Sequence, residues 1–151
     1  MVNTKVIEIQ NYLPHRAPML MVDIITAINT DSVATLFEIK ADNIFLENGR
    51  FCEAGLMENA AQTCSAIVGQ TFFFDENHQE RQNVNVLGFI SAMKKVEILG
   101  LPHVGETLFT EGKLISRMDG DDFSICLIAV TTRTVTQAVL KAEVNLFLQK
   151  Q

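Results

Sequence analysis

Two short stretches of this chain carry side chains that can move protons beside apolar surface. Leu13-Pro14-His15-Arg16-Ala17-Pro18-Met19 sets an imidazole and a guanidinium between two prolines, just ahead of a hydrophobic run. Glu58-Asn59-Ala60-Ala61-Gln62 sets a carboxylate and an amide one helical turn apart, in a segment otherwise rich in small and apolar residues. Histidine titrates near neutrality, and an ionisable group beside apolar surface suits acid and base chemistry on a lipid-like substrate. Pro14 and Pro18 stiffen the loop that holds His15. Glu58 is therefore expected to act as acid or base and His15 as its partner base. Carboxylates are seldom set against the apolar face of a buried helix without purpose, which favours a functional Glu58. For His15 a second reading stands beside the first: His15 and Arg16 can equally lock the N-terminal segment onto a sheet by hydrogen bonds.

Positioning these groups requires one helix among long strands. From about Glu53 to Phe72 the pattern follows period 3.6, with Met57, Ala60, Ala61, Cys64, Ile67 or Val68, and Phe72 expected on one face. Glu58, Gln62, Ser65 and Gly69 fall on a stripe bordering that face. The many small residues here let a backbone sit close against a sheet. Met19 to Ile28 and Ser32 to Lys40 read as strands joined by the polar turn Asn29-Thr30-Asp31. Asp75 to Asn83 reads as a polar loop, followed by extended segments at Val84 to Leu99 and Thr107 to Arg117. Asp119-Gly120 marks a hairpin, and Phe123, Ile125, Leu127 and Ala129 alternate in the strand from Asp122 to Arg133. In the last strand Ala138, Leu140, Ala142, Val144, Leu146 and Leu148 point one way, and Lys141, Glu143, Asn145 and Gln149 the other. Strands of this length match a helix of about twenty residues, so the expected architecture is α+β: a long antiparallel sheet wrapped around one central helix.

Composition bounds the rest. The 151 residues suit one domain, 1–151, and 48% hydrophobic content argues against disorder. No apolar run reaches the length of a membrane span, and no secretory h-region precedes Gln10, so a cytoplasmic protein without a membrane partner is expected. Cys52, Cys64 and Cys126 are odd in number and lack metal-ligand spacing, which favours reduced, packed thiols and neither metal nor cofactor. A net charge of −6 offers no footprint for nucleic acid. His103, in a Pro/Gly turn, and His78, in the polar loop, read as surface residues. Phe45, Phe51, Phe72, Phe73, Phe74 and Phe89 can line a tunnel or fill the core.

Leu13 to Asp23, LPHRAPMLMVD, resembles the start of the 3-hydroxyacyl-acyl-carrier-protein dehydratases, L-P-H-R-x-P followed by apolar residues and an Asp. Lys95 and Pro102-His103-Val104-Gly105-Glu106 resemble the family's central-strand Lys and P-x-x-G-D/E. Glu58-Asn59-Ala60-Ala61-Gln62 is similar to its E-A-x-A-Q helix. Where the family carries G-H-F-P, with the catalytic His, this chain has Gly49-Arg50-Phe51-Cys52, and arginine stays protonated at neutral pH. In that departure it is similar to a divergent subgroup, the aryl-polyene-type dehydratase-like proteins.

The resemblance implies a hot-dog fold and removal of water from 3-hydroxyacyl thioesters, carried on acyl carrier protein or coenzyme A, to give trans-2-enoyl thioesters. That elimination needs a base for the α-proton, an acid for the leaving hydroxyl and donors for the thioester oxygen. Glu58 and His15 are the expected catalytic residues, with Gly55, Gln62, Arg16 and Ala92 expected to contact substrate. First-turn N–H groups near Ala54 and Gly55 suit the thioester oxygen. An acidic carrier would dock on local basic residues, for which Arg16, Lys94, Lys95 and Lys113 are candidates, although a solvated surface explains them equally well. A homodimer or higher homo-oligomer is implied, with His15 and Glu58 converging on one substrate. Two other functions stay open: a hot-dog acyl thioesterase, and a non-catalytic partner subunit of an active dehydratase.

Overall fold

The computed structural model describes the backbone of residue 9, residues 12–73 and residues 86–150, and their side chains other than those of residues 68–73 and 86. The expected loop at 75–83, His78, Phe74 and the side chains of Val68, Phe72 and Phe73 lie outside the described residues. In chain order the elements are β1 (Ile24–Ile28), β2 (Ser32–Glu38), β3 (Leu46–Glu47), β4 (Arg50–Phe51), α1 (Glu53–Phe73), β5 (Val86–Ile98), β6 (Thr107–Asp119), β7 (Phe123–Arg133) and β8 (Ala138–Lys150). Six strands form one antiparallel sheet in the order β1-β2-β6-β7-β8-β5, and β3 pairs with β4 alone. The 21 residues of α1 span about 31 Å, close to the reach of the long strands beneath it. This is the hot-dog fold, α+β, as the strand and helix lengths foretold.

Both turns read from polar residues are present. Asn29 accepts the N–H groups of Asp31 and Ser32 at its Oδ1, 2.8 Å each, closing β1 onto β2. The Gly120 N–H donates to the Phe123 carbonyl at the β6–β7 hairpin. A third turn, Asn48-Gly49, joins β3 to β4 with both residues at positive φ, 53° and 77°. Asn-Gly is the pair that a two-residue hairpin of this hand prefers. Gly49-Arg50-Phe51-Cys52 is therefore half hairpin and half helix entry. Arg50 is exposed and bridges to His103, which is itself exposed, while Phe51 is fully buried.

The structure corrects two of the patterns and decides the inner face of a third. Met19 to Val22 are not strand; β1 starts only at Ile24, because side chains of α1 take the backbone groups that a ladder would use. On α1 the buried line runs through Leu56, Ala60, Thr63 and Ile67, with Asn59, Gln62, Cys64 and Ala66 beside it, whereas Met57 and Ala61 are only half-buried. The helix is enclosed on more of its circumference than one amphipathic face accounts for. On β7 the core takes Ser124, Cys126, Ile128 and Val130, and Phe123, Ile125, Leu127 and Ala129 face outward. Register decides this, since Cys126 lies opposite Leu146 and Ile128 opposite Val144 on the apolar face of β8. Phe89 also faces outward, its ring 5.1 Å from that of Phe147, which in turn stacks on Phe123 at 5.9 Å.

Phe45 and Phe51 pack edge to face at 6.4 Å, and Phe51 reaches Phe37 at 6.0 Å. These rings close over the first turn of α1. A methyl at Gly55 would sit 2.6 Å from the Phe51 ring and 2.8 Å from the Phe45 Cβ, so packing alone requires glycine there. Gly55→Ala is expected to lower stability by about 1–2 kcal/mol, the overpacking cost less the helix propensity gained. In calorimetry that is a melting midpoint lower by roughly 3–6 °C. An unchanged midpoint would mean that the two rings can move aside.

Candidate acid–base site

Three residues of one stretch of helix, Glu58, Asn59 and Gln62, meet the segment that carries His15. Leu13, 2% exposed, anchors that loop in the core, and its N–H donates to the Ile9 carbonyl. The Arg16 guanidinium folds back, donating through Nη1 to the carbonyls of Leu13 (2.9 Å) and His15 (2.8 Å). The Arg16 carbonyl in turn accepts the N–H groups of Met19 and Leu20. Through these bonds Arg16 braces its own loop from within and does not tie it to the sheet.

The imidazole presented by this loop has Nε2 3.9 Å from Glu58 Oε1 in the same chain. Both side chains are about a third exposed, 30% and 32%, so a small group can reach them from solvent while their inner edges touch the core. Within one protomer the two side chains therefore lie next to one another. Nδ1 of His15 is buried with no hydrogen-bond partner among the described residues.

Gln62, 1% exposed, is the hub. Its Nε2 donates to Glu58 Oε1 (2.9 Å) and to the Met19 carbonyl (2.8 Å), and its Oε1 accepts the Met21 N–H (2.7 Å). Both amide protons are spent, so Glu58 Oε1 can only be an acceptor toward it. Beside it Asn59, fully buried, donates from Nδ2 to the Met21 carbonyl and accepts at Oδ1 from the Thr110 hydroxyl, 2.7 Å each. Sequence reasoning passed over Asn59. A buried-helix asparagine next to the candidate carboxylate was the available signal, because an interior amide must find partners.

The other expected substrate contacts are placed differently. Gly55 is under the Phe45 and Phe51 rings, in the helix's first turn, where N–H groups have no acceptor within the helix. Ala92 is half-buried on β5 opposite Asn145. Lys95, at φ 50°, donates to Glu143 across 3.5 Å at the surface. The three thiols are free, and burial pushes Cys64 up to about 12 and Cys126 upward as well, so neither supplies a thiolate at neutral pH. Among the described residues no helix is long and apolar enough to cross a membrane.

Comparison with known proteins adds the following. A family model described as ApeP-like, ApeP dehydratase, matches residues 7–150. The 3-hydroxyacyl-acyl-carrier-protein dehydratase FabZ of Streptococcus agalactiae is 28% identical over 116 residues, 73% of this chain and 76% of that protein. Among solved structures, the dehydratase heterocomplex ApeI:P from Xenorhabdus doucetiae matches with a TM-score of 0.76, covering 97% of this chain and 93% of its own at 16% identity. A hypothetical thioesterase with coenzyme A from Streptococcus pneumoniae matches with a TM-score of 0.60, covering 84% and 85% at 16% identity. At these identities the structural likenesses speak for the fold.

Proposed function

Because the chain belongs to the ApeP-like dehydratase family, we propose that it eliminates water from 3-hydroxyacyl thioesters, carried on acyl carrier protein or coenzyme A, to give trans-2-enoyl thioesters. The observation that carries this reading is the 3.9 Å approach of His15 Nε2 to a Glu58 carboxylate oriented by a buried glutamine.

The roles we assign differ from those expected of the residue types alone. A neutral imidazole carries one proton; Nε2 faces the Glu58 carboxylate, an acceptor, at 3.9 Å, whereas Nδ1 is buried with no acceptor for a proton among the described residues. That supports the tautomer with hydrogen on Nε2, which makes His15 a hydrogen-bond donor rather than the base. Glu58 then takes the C2 proton of the substrate at Oε2. The electron pair left at C2 forms the C2–C3 double bond as the C3–O bond breaks. The proton passes from Glu58 to the departing hydroxyl, which leaves as water while His15 Nε2–H holds its oxygen. The first-turn amides of α1 receive the charge that gathers on the thioester oxygen.

A second reading has its own support. One of the similar solved structures is a dehydratase heterocomplex, ApeI:P, and this chain has exposed Arg50 where G-H-F-P relatives place their base. In that reading it works as a subunit beside a second hot-dog chain in the cytoplasm, where a homo-oligomer is otherwise proposed. The test is hydration of a 2-enoyl thioester, followed by loss of the conjugated absorbance. Turnover by the purified protein alone supports the enzyme. Turnover only on mixing with a G-H-F-P homologue supports the partner subunit. Release of free thiol without enone loss would replace both by a thioesterase.

A further inference from the structure

A line of buried polar groups runs from the middle of the sheet to the candidate site. The Thr110 hydroxyl has one proton, and it goes to Asn59 Oδ1 at 2.7 Å. The 2.9 Å contact between Thr110 and Thr132 is then donated by Thr132. All three side chains are 1% exposed or less. The direction of every link is fixed: Thr132 to Thr110, Thr110 to Asn59, Asn59 to the Met21 carbonyl. The Met21 residue is gripped from both sides, its carbonyl by Asn59 and its N–H by Gln62, the same glutamine that holds Glu58. Valine would fill the threonine positions equally well, so shape alone does not account for this line. A second buried pair under the same helix, Thr35 with Thr63 at 2.8 Å, lies across the strand from Thr110 but has no side-chain hydrogen bond to the His15 loop among the described residues.

We infer that Asn59, with Thr110 behind it, is a positioning residue: it ties the His15 loop to strands β6 and β7 and thereby sets the separation of His15 from Glu58. The inference rests on the reading of that pair as the reacting groups. It is tested with Thr110→Val, Thr110→Ser, Asn59→Leu and the control Thr35→Val, comparing kcat and KM for enoyl-thioester hydration with the nitrogen resonances of the His15 imidazole.

Thr110→Val is expected to lower kcat about tenfold or more with KM little changed, because a reacting pair displaced by a fraction of an ångström loses rate rather than binding. Thr110→Ser, which keeps the hydroxyl, restores the rate, and Thr35→Val leaves it near wild type. The His15 resonances shift in Thr110→Val and Asn59→Leu and stay in place in the other two. If Thr110→Val behaves like Thr35→Val, or if serine fails as valine does, the positioning role is overturned. If the wild-type protein shows no turnover at all, the acid–base reading fails by itself, and the imidazole resonances still decide whether Asn59 and Thr110 set the His15 loop. Should Asn59→Leu not fold, the valine and serine pair at Thr110 carries the same decision.

Discussion

Glu58→Gln is expected to cut hydration or dehydration of the thioester by about 10²- to 10⁴-fold, the range for losing a positioned proton carrier. The substitution preserves shape. Its carbonyl oxygen can still accept from Gln62 Nε2, so the bonds from Gln62 to Met19 and Met21 have no reason to break. Thermal stability should therefore stay close to wild type, and the loss should appear in kcat with little change in KM. Steady-state kinetics beside a melting curve checks this. A Glu58→Gln protein that keeps wild-type turnover would remove Glu58 from the chemistry. A protein that loses both activity and its melting transition would mean that the carboxylate is structural.

Gln62→Leu should do the opposite, with the larger effect on stability. Leucine fills the space but takes away both donors and the acceptor. The Met21 N–H is then left buried against a side chain that cannot answer it, and the part-buried Met19 carbonyl loses its donor, at a cost of about 3 kcal/mol for the pair. In a chain of this size that corresponds to a midpoint lower by roughly 6–12 °C. Urea unfolding with an unchanged m-value would report the same loss as a shift in midpoint. Activity should fall as well, since Glu58 loses its orienting amide and the His15 loop one of its two ties. An unchanged midpoint would show that the burial of Leu13, Met21 and Val22 holds the segment without Gln62.

Much of the candidate site was legible because its two halves are local motifs. His15 between prolines and Glu58 one turn before Gln62 are readable wherever they occur, and Gln62 proved to orient Glu58 as a spacing of four in a helix allows. An arginine beside a candidate histidine suggests a ligand for substrate, and residue type does not reveal that this one also spends Nη1 on the carbonyls of its own loop. Gly49-Arg50-Phe51-Cys52 stands where the family carries G-H-F-P, and Asn48-Gly49 announces the hairpin to which it belongs.

What the sequence determined unaided is whatever depends on local period and local turn chemistry. The strict alternation of β8 names its own inner face, small residues mark the helix that must lie close to a sheet, and Asn29 and Gly120 close their turns. Tertiary structure decided the rest, because it turned on partners far away in the chain. Met19 to Val22 has the composition of a strand, but Gln62 and Asn59, 41 and 38 residues beyond Met21, claimed its backbone groups first. Both faces of β7 are apolar, so only pairing with β8 could choose between them. Asn59 found its acceptor role through Thr110, 51 residues on. A hydrogen bond that links distant segments leaves no period in either of them, and so the network that aims Glu58 at His15 exists only once the helix has settled on the sheet.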